Sequence, residues 1–205
     1  MTYFHIGSIN VPAVWLAASV ALGFSFFLSR GIVGNKIGEW YWNGASLYFL
    51  VWKISYILFN FDLFMETPLS LIFFNGGTKG HFLALAILSV YLLFIAYKKH
   101  PHIYEEAPQI ILLYFFSYEV VINLLEKNIT ETIVHFSVLA GYLVILVMLK
   151  KRRKYFFNQV LLLLIMVELL ILSISQSIFE RESFTFLWMG IITLLISRKL
   201  KEVNT

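Results

Sequence analysis

The chain has 205 residues, 60% of them hydrophobic and 14% charged, with a net charge of +4 and a mean hydropathy of +0.79. A water-soluble domain of this length cannot hide so many apolar side chains, so lipid must solvate much of its surface. There is no cysteine, which excludes disulfides, thiolate metal sites, a cysteine nucleophile and lipidation of the chain's own thiols.

In chain order, Met1–Asn10 contains no Lys or Arg and so lacks the basic region of a cleavable signal peptide; none is expected. Crossing a bilayer takes about 20 apolar residues in a helix. Seven stretches approach that: Pro12–Ser29, Ala45–Phe61, His81–Tyr97, Pro108–Leu125, Thr132–Leu149, Phe157–Phe179 and Phe184–Ser197. The second is short but can extend into Trp40-Tyr41-Trp42, an aromatic run suited to the membrane interface. Pro68–Phe74, followed by Asn75-Gly76-Gly77, is apolar but too short to cross, and is expected to be interfacial or re-entrant. No Gly/Ser/Pro-rich linker, low-complexity tract or internal repeat interrupts the pattern, so one membrane domain over residues 1–205 is expected.

Basic charge alternates along the connecting segments. Arg30, Lys36, Lys98, Lys99, Lys150, Lys151, Arg152, Arg153, Lys154, Arg198, Lys199 and Lys201 fall on one side. Only Lys79, Lys127 and Arg181 fall on the other, among Asp62, Glu66, Glu126, Glu131, Glu180 and Glu182. Twelve basic residues against three predict an all-α membrane protein of seven transmembrane helices with the N-terminus outside and the C-terminus in the cytoplasm. The basic clusters read as juxtamembrane topology signals, and no nucleic-acid partner is expected.

An ionisable side chain inside the bilayer costs roughly 2.5–3.5 kcal/mol on insertion scales, so such groups face the protein interior and find partners. Lys53 lies midway along the second span, with Tyr56 and Asn60 on the same helical face. Glu119, with Asn123 one turn on, lies in the outer half of the fourth span; Glu168 is near the middle of the sixth. Lys53 can pair with Glu119 or Glu168 as a structural tie, or help form a polar cavity for an anionic headgroup. His81 opens the third span just after Gly76-Gly77, and His135 sits near the outer start of the fifth. With Glu119 and Asn123 they all lie toward the outer leaflet, where a histidine beside a carboxylate is a candidate general base. His100 and His102 make a weak metal signal, and neither a metal nor a cofactor is expected.

One stretch is more specific. Glu39–Leu93 resembles the prolipoprotein diacylglyceryl transferase family, bacterial enzymes that begin lipoprotein maturation. In that family a span carrying a Gly-Arg-x-Gly-Tyr-like segment leads to an outer Pro-Leu pair, then Gly-Gly-Met-Ser-x-His-Gly-Gly, then a new span. The counterparts here are Lys53-Ile54-Ser55-Tyr56, Pro68-Leu69 and Gly76-Gly77-Thr78-Lys79-Gly80-His81, in matching order and spacing. The resemblance covers about a quarter of the chain, with Val167-Glu168-Leu169 similar to a later glutamate segment. Pro12-Ala13-Val14-Trp15 stands where the family's first span has a Trp-Tyr-Gly-Leu-like motif, and Glu131–His135 replaces its His-Pro-Ser-Gln-Leu-Tyr-Glu motif. The fourth span reads Phe116–Asn123 without the family's arginine, and Leu164 occupies the position of a second arginine.

The resemblance implies transfer of a diacylglyceryl group from phosphatidylglycerol to a lipobox cysteine thiol, in the bacterial cytoplasmic membrane, with lipobox prolipoproteins as partners. His81 is then the candidate base for the thiol, with Glu119 and His135 as further catalytic candidates. Lys53, Tyr56, Asn123, Gly76 and Gly77 are expected at the lipid headgroup, and Glu168 in support. Two missing arginines matter because a guanidinium holds a departing phosphate bidentately, which a lysine cannot do. The alternative is a catalytically inactive paralogue that binds lipid or a membrane partner. A small transporter using Lys53, Glu119 and Glu168 is the third expectation.

Overall fold

A computed structural model describes residues 2–6, 9–34, 37–98, 103–149, 157–175 and 180–203. Strands β1 (Tyr3–Ile6) and β2 (Ile9–Pro12) pair antiparallel, with Tyr3 opposite Pro12 and Ile6 opposite Ile9. Then come α1 (Ala13–Leu28), α2 (Trp40–Phe59), the short α3 (Phe61–Glu66) and α4 (Ser70–Phe73), α5 (Gly77–Tyr97), α6 (Ile103–Leu125), α7 (Ile129–Leu149), α8 (Phe157–Ser175) and α9 (Arg181–Val203). Lys36, Lys99, His100, His102 and the Lys150–Lys154 run lie outside the described residues.

Each of the seven expected apolar stretches lies mainly on one long helix, although Pro12 belongs to β2, Asn60 separates α2 from α3, and residues 176–179 of the sixth stretch lie outside the described residues. Stretches of α1 with its continuation, α5, α6 and α7 are long and apolar enough to cross a bilayer, and α8 holds a shorter apolar stretch. Large apolar side chains cover the outside of these helices: Phe27, Val90 and Ile174 are 72%, 68% and 78% exposed. Water would not tolerate so continuous an apolar surface, whereas lipid does. The protein is thus an all-α, multi-pass membrane protein apart from its short hairpin.

The chain folds into two compact units, Met1–Ile37 with Tyr104–Thr205, and Gly38–Ile103. In the first unit α6 is the central helix: 61% of its span is buried, against 28% for α1 and 22% for α7. Ala13, Ala17 and Ala21 form a small-residue stripe on α1 that admits Tyr118 and Ile122 of α6. Phe116 of α6 meets Tyr142 of α7 edge-on at 5.3 Å, and Phe115 meets Phe186 of α9 at 5.2 Å. A π-helical turn, Ser29–Val33, extends α1 and ends at Gly34, whose φ of 74° lies where glycine pays no Cβ penalty. The turn from α6 to α7 closes by bonds from the Lys127 N–H to the Leu124 carbonyl (3.2 Å) and from the Asn128 N–H to the Asn123 carbonyl (2.9 Å). That is a Schellman pattern, with Lys127 at φ 63° where glycine is usual.

In the second unit α2 and α5 run antiparallel. Ser55 projects from α2 against Gly76 and Gly80, where any Cβ would collide with its hydroxyl. The segment between the two helices, expected to be interfacial or re-entrant over Pro68–Phe74, contains α3 and α4. It folds back on α2 and presents an apolar face, with Phe61, Leu63, Met65, Leu69, Ile72, Phe73 and Phe74 all exposed.

Candidate functional site

Two groups of sequence-predicted residues emerge, one in each unit. In the first unit, Glu119 lies six residues before the end of α6, His135 six after the start of α7, and Glu168 seven before the end of α8. At 1.5 Å per residue, all three sit about 9–11 Å in from the same end of the helices. Glu131 and Glu182 lie in the first turns of α7 and α9, at that end.

The His135 imidazole stands between two carboxylates. Its Nδ1 is 2.9 Å from Glu168 Oε1, and its Nε2 is 4.0 Å from Glu131 Oε2. Glu168 is fully buried, His135 1% exposed, and the Glu131 side chain about one-third exposed. The 2.9 Å approach lacks the alignment of a hydrogen bond, and among the described residues neither Glu168 oxygen has a hydrogen-bond partner. It is a close polar contact between an imidazole nitrogen and a carboxyl oxygen in a site shut off from water.

Glu119 is 3% exposed, and its Oε2 has no hydrogen-bond partner among the described residues. The carboxylates of Glu182, Glu168 and Glu131 are near enough to repel a charge on it, Glu182 most strongly. Asn123 does not serve that carboxylate; its Nδ2 donates to the Glu119 backbone carbonyl at 2.9 Å. Tyr118, beside Glu119, donates its hydroxyl to Glu182 Oε1 at 3.2 Å. Among the described residues, no three His, Asp or Glu side chains converge as metal ligands.

In the second unit, His81 is half-buried, and its Nδ1 lies 2.6 Å from the Tyr48 hydroxyl, which fixes the ring. Lys53 Nζ donates to the Ile72 carbonyl at 2.8 Å, and the Tyr56 ring stacks on Phe74 at 5.8 Å. The Gly76 N–H donates to the Trp52 carbonyl (3.0 Å), and Trp52 Nε1 to the Gly77 carbonyl (3.3 Å). The Gly77 N–H donates to Asn75 Oδ1 (2.9 Å), closing the turn before α5. Lys53, Tyr56, Gly76, Gly77 and His81 therefore belong to one built piece, the α2–loop–α5 fold.

Glu119, Asn123, His135 and Glu168 belong to the other unit, where Glu168 meets His135. Tyr48, Ser55, Trp52, Glu131, Glu182 and Tyr118 were not singled out as site residues from sequence. Only Glu131 carried a usable signal, since it precedes His135 by one helical turn.

No protein-family model, no curated protein and no solved structure matches this chain.

Proposed function

We propose that this chain is a seven-span protein of the bacterial cytoplasmic membrane, N-terminus outside, built on the prolipoprotein diacylglyceryl transferase plan and acting on phosphatidylglycerol-like lipid. One observation carries the proposal: the stretch with the family's motif order is a single stitched structure. Lys53, Tyr56, Trp52 and Ser55 of α2 each engage the loop or the start of α5, through Ile72, Phe74, Gly76, Gly77 and Gly80. The exposed apolar face of α3 and α4 suits a segment lying among lipids at the outer interface, where a headgroup would meet His81.

In the catalytic form of this proposal, His81 takes the lipobox thiol proton and the thiolate sulfur attacks the glyceryl carbon. A C–S bond forms, the C–O bond to phosphate breaks, and glycerol phosphate leaves with the electron pair. The test is a proteoliposome assay with radiolabelled phosphatidylglycerol and a lipobox peptide. Thioether product that His81→Ala abolishes is expected, and its absence from the wild type would sink the catalytic form.

A specific observation favours a second, non-catalytic form. The Lys53 ammonium, which stands where the family's second-span segment has an arginine, is already held by the Ile72 carbonyl. In that form the protein binds lipid or a membrane partner without chemistry. Native mass spectrometry would then detect phosphatidylglycerol retained by the wild type and weakened by Lys53→Met, with no product in the assay.

A further inference from the structure

Glu168 takes no part in the chemistry proposed for His81, yet it is the most deeply buried ionisable group described, and among the described residues its two oxygens lack hydrogen bonds. Glu119 is a second buried carboxylate in the same unit, near enough for Glu168 to repel a charge on it. One imidazole supplies at most one positive charge, so among the described residues two ionised carboxylates would leave the deep cluster at least one positive charge short. In a lipid-embedded bundle such a deficit must be filled. The groups facing it are Tyr118 and Glu119 from α6, Glu131 and His135 from α7, and Glu182 from α9, where Arg181 precedes Glu182 in the same turn.

We propose that Glu131, His135, Glu168 and Glu119 form a proton-binding site, loaded from the end of the bundle where α7 begins, with Glu131 as its outer relay. The geometry is that of an imidazole relay. Glu131 addresses Nε2 from the partly exposed side at 4.0 Å, and Glu168 addresses Nδ1 from the buried side at 2.9 Å. A proton passes from Glu131 to Nε2 while the Nδ1 proton passes to Glu168. The ring ends as its other tautomer, and Glu131 is left to pick up a proton from solvent. Rotation of the flexible Glu131 side chain closes the longer gap. Protonating Glu168 removes its repulsion with Glu119, so the second carboxylate is felt at the first. A metal ion is the less suitable occupant, because no three such side chains converge as ligands among the described residues. The site needs only the helices of its own unit and stands apart from the lipid proposal.

The experiment is infrared spectroscopy of the full chain in lipid nanodiscs, following the protonated-carboxyl C=O band through a pH titration in H2O and D2O. The wild type should show such a band, shifted in D2O and lost on adding base. Glu168→Gln, which preserves shape, should remove it, and Glu119→Gln should alter it, with gel filtration confirming that each variant is folded. Glu131→Gln should keep the band but slow its deuterium exchange by about a hundredfold. No protonated-carboxyl band in the folded wild type, or a band unchanged in both Glu168→Gln and Glu119→Gln, would overturn the site. Unchanged exchange in Glu131→Gln would overturn the relay. Loss of the band on adding sodium or potassium at constant pH would identify a metal-cation site instead. Phosphatidylglycerol binding should be the same in Glu131→Gln as in the wild type, whichever way the lipid proposal falls.

Discussion

Gly80→Ala is expected to destabilise the wild-type protein and to become harmless, or mildly stabilising, once Ser55 is also alanine. Gly80 lies inside α5, where alanine is intrinsically better than glycine by about 1 kcal/mol. The new methyl would collide with Ser55 Oγ, with Trp52 O at 3.3 Å and Ser55 Cβ at 3.4 Å next nearest. The hydroxyl can escape only by leaving the Trp52 carbonyl, to which it donates at 2.8 Å. Losing that bond costs about 1 kcal/mol, and overpacking a tight contact typically costs 1–3 kcal/mol. These terms outweigh the helix gain, leaving a net loss of about 1–3 kcal/mol. Ser55→Ala removes the colliding atom, while the Trp52 carbonyl keeps its bond from the Gly76 N–H. A double-mutant cycle on unfolding in mixed micelles should therefore give a coupling energy of about 2–4 kcal/mol. An equal effect of Gly80→Ala in both backgrounds would refute the close approach of α2 and α5.

Other perturbations test other elements. At a pH high enough to remove the Glu168 proton, His135→Ala leaves Glu168 as an uncompensated buried carboxylate and should lower stability by about 3–5 kcal/mol, with much of the loss recovered when Glu168→Gln is added. Thermal unfolding in micelles measures both; an unchanged midpoint in His135→Ala would contradict the pair. Lys127→Gly relieves a left-handed backbone and should stabilise the α6–α7 turn by about 0.5–1 kcal/mol, read in the same assay, while a loss would contradict the Schellman geometry. Because the chain has no cysteine, single-cysteine variants report topology directly. Asn128→Cys should react with an impermeant maleimide on intact cells, and Lys98→Cys only after permeabilisation; the reverse would invert the proposed orientation.

How far the sequence reaches depends on the range of the interaction that decides each feature. The apolar stretches returned as helices because burying the backbone in lipid is a local demand on consecutive residues. The boundaries moved where local polarity misled. α5 starts at Gly77 and not His81, and α6 starts at Ile103, with Pro108 inside the helix and not at its start. The hairpin went unread, although Gly7-Ser8 between two short β-prone runs is a two-residue turn signal. Partner choice was illegible for a different reason. Spacing places Glu168 on a helix but says nothing of which neighbouring helix it faces, so its pairing with His135 appears only in three dimensions. Lys53 likewise serves a carbonyl of the folded-back loop, a contact no periodicity encodes.

The central helix was nevertheless marked in the sequence, by its ionisable and amide residues and not by its hydropathy. The spans of α1 and α6 are equally apolar on average, yet 28% of one is buried and 61% of the other. From Ala13 to Leu28 α1 has no charged or amide side chain, so nothing prevents it from facing lipid. α6 carries Gln109, Glu119 and Asn123, and α8 carries Glu168, none of which hydrocarbon accepts without penalty. Turning α6 outward would put Glu119 and Asn123 into lipid; turning it inward lets Asn123 bond the Glu119 carbonyl and puts Glu119 near the carboxylates of α7, α8 and α9. The same residues that force α6 to the centre thus gather the acidic groups there, and the charge deficit that follows makes a proton-binding role for His135 and Glu168 testable.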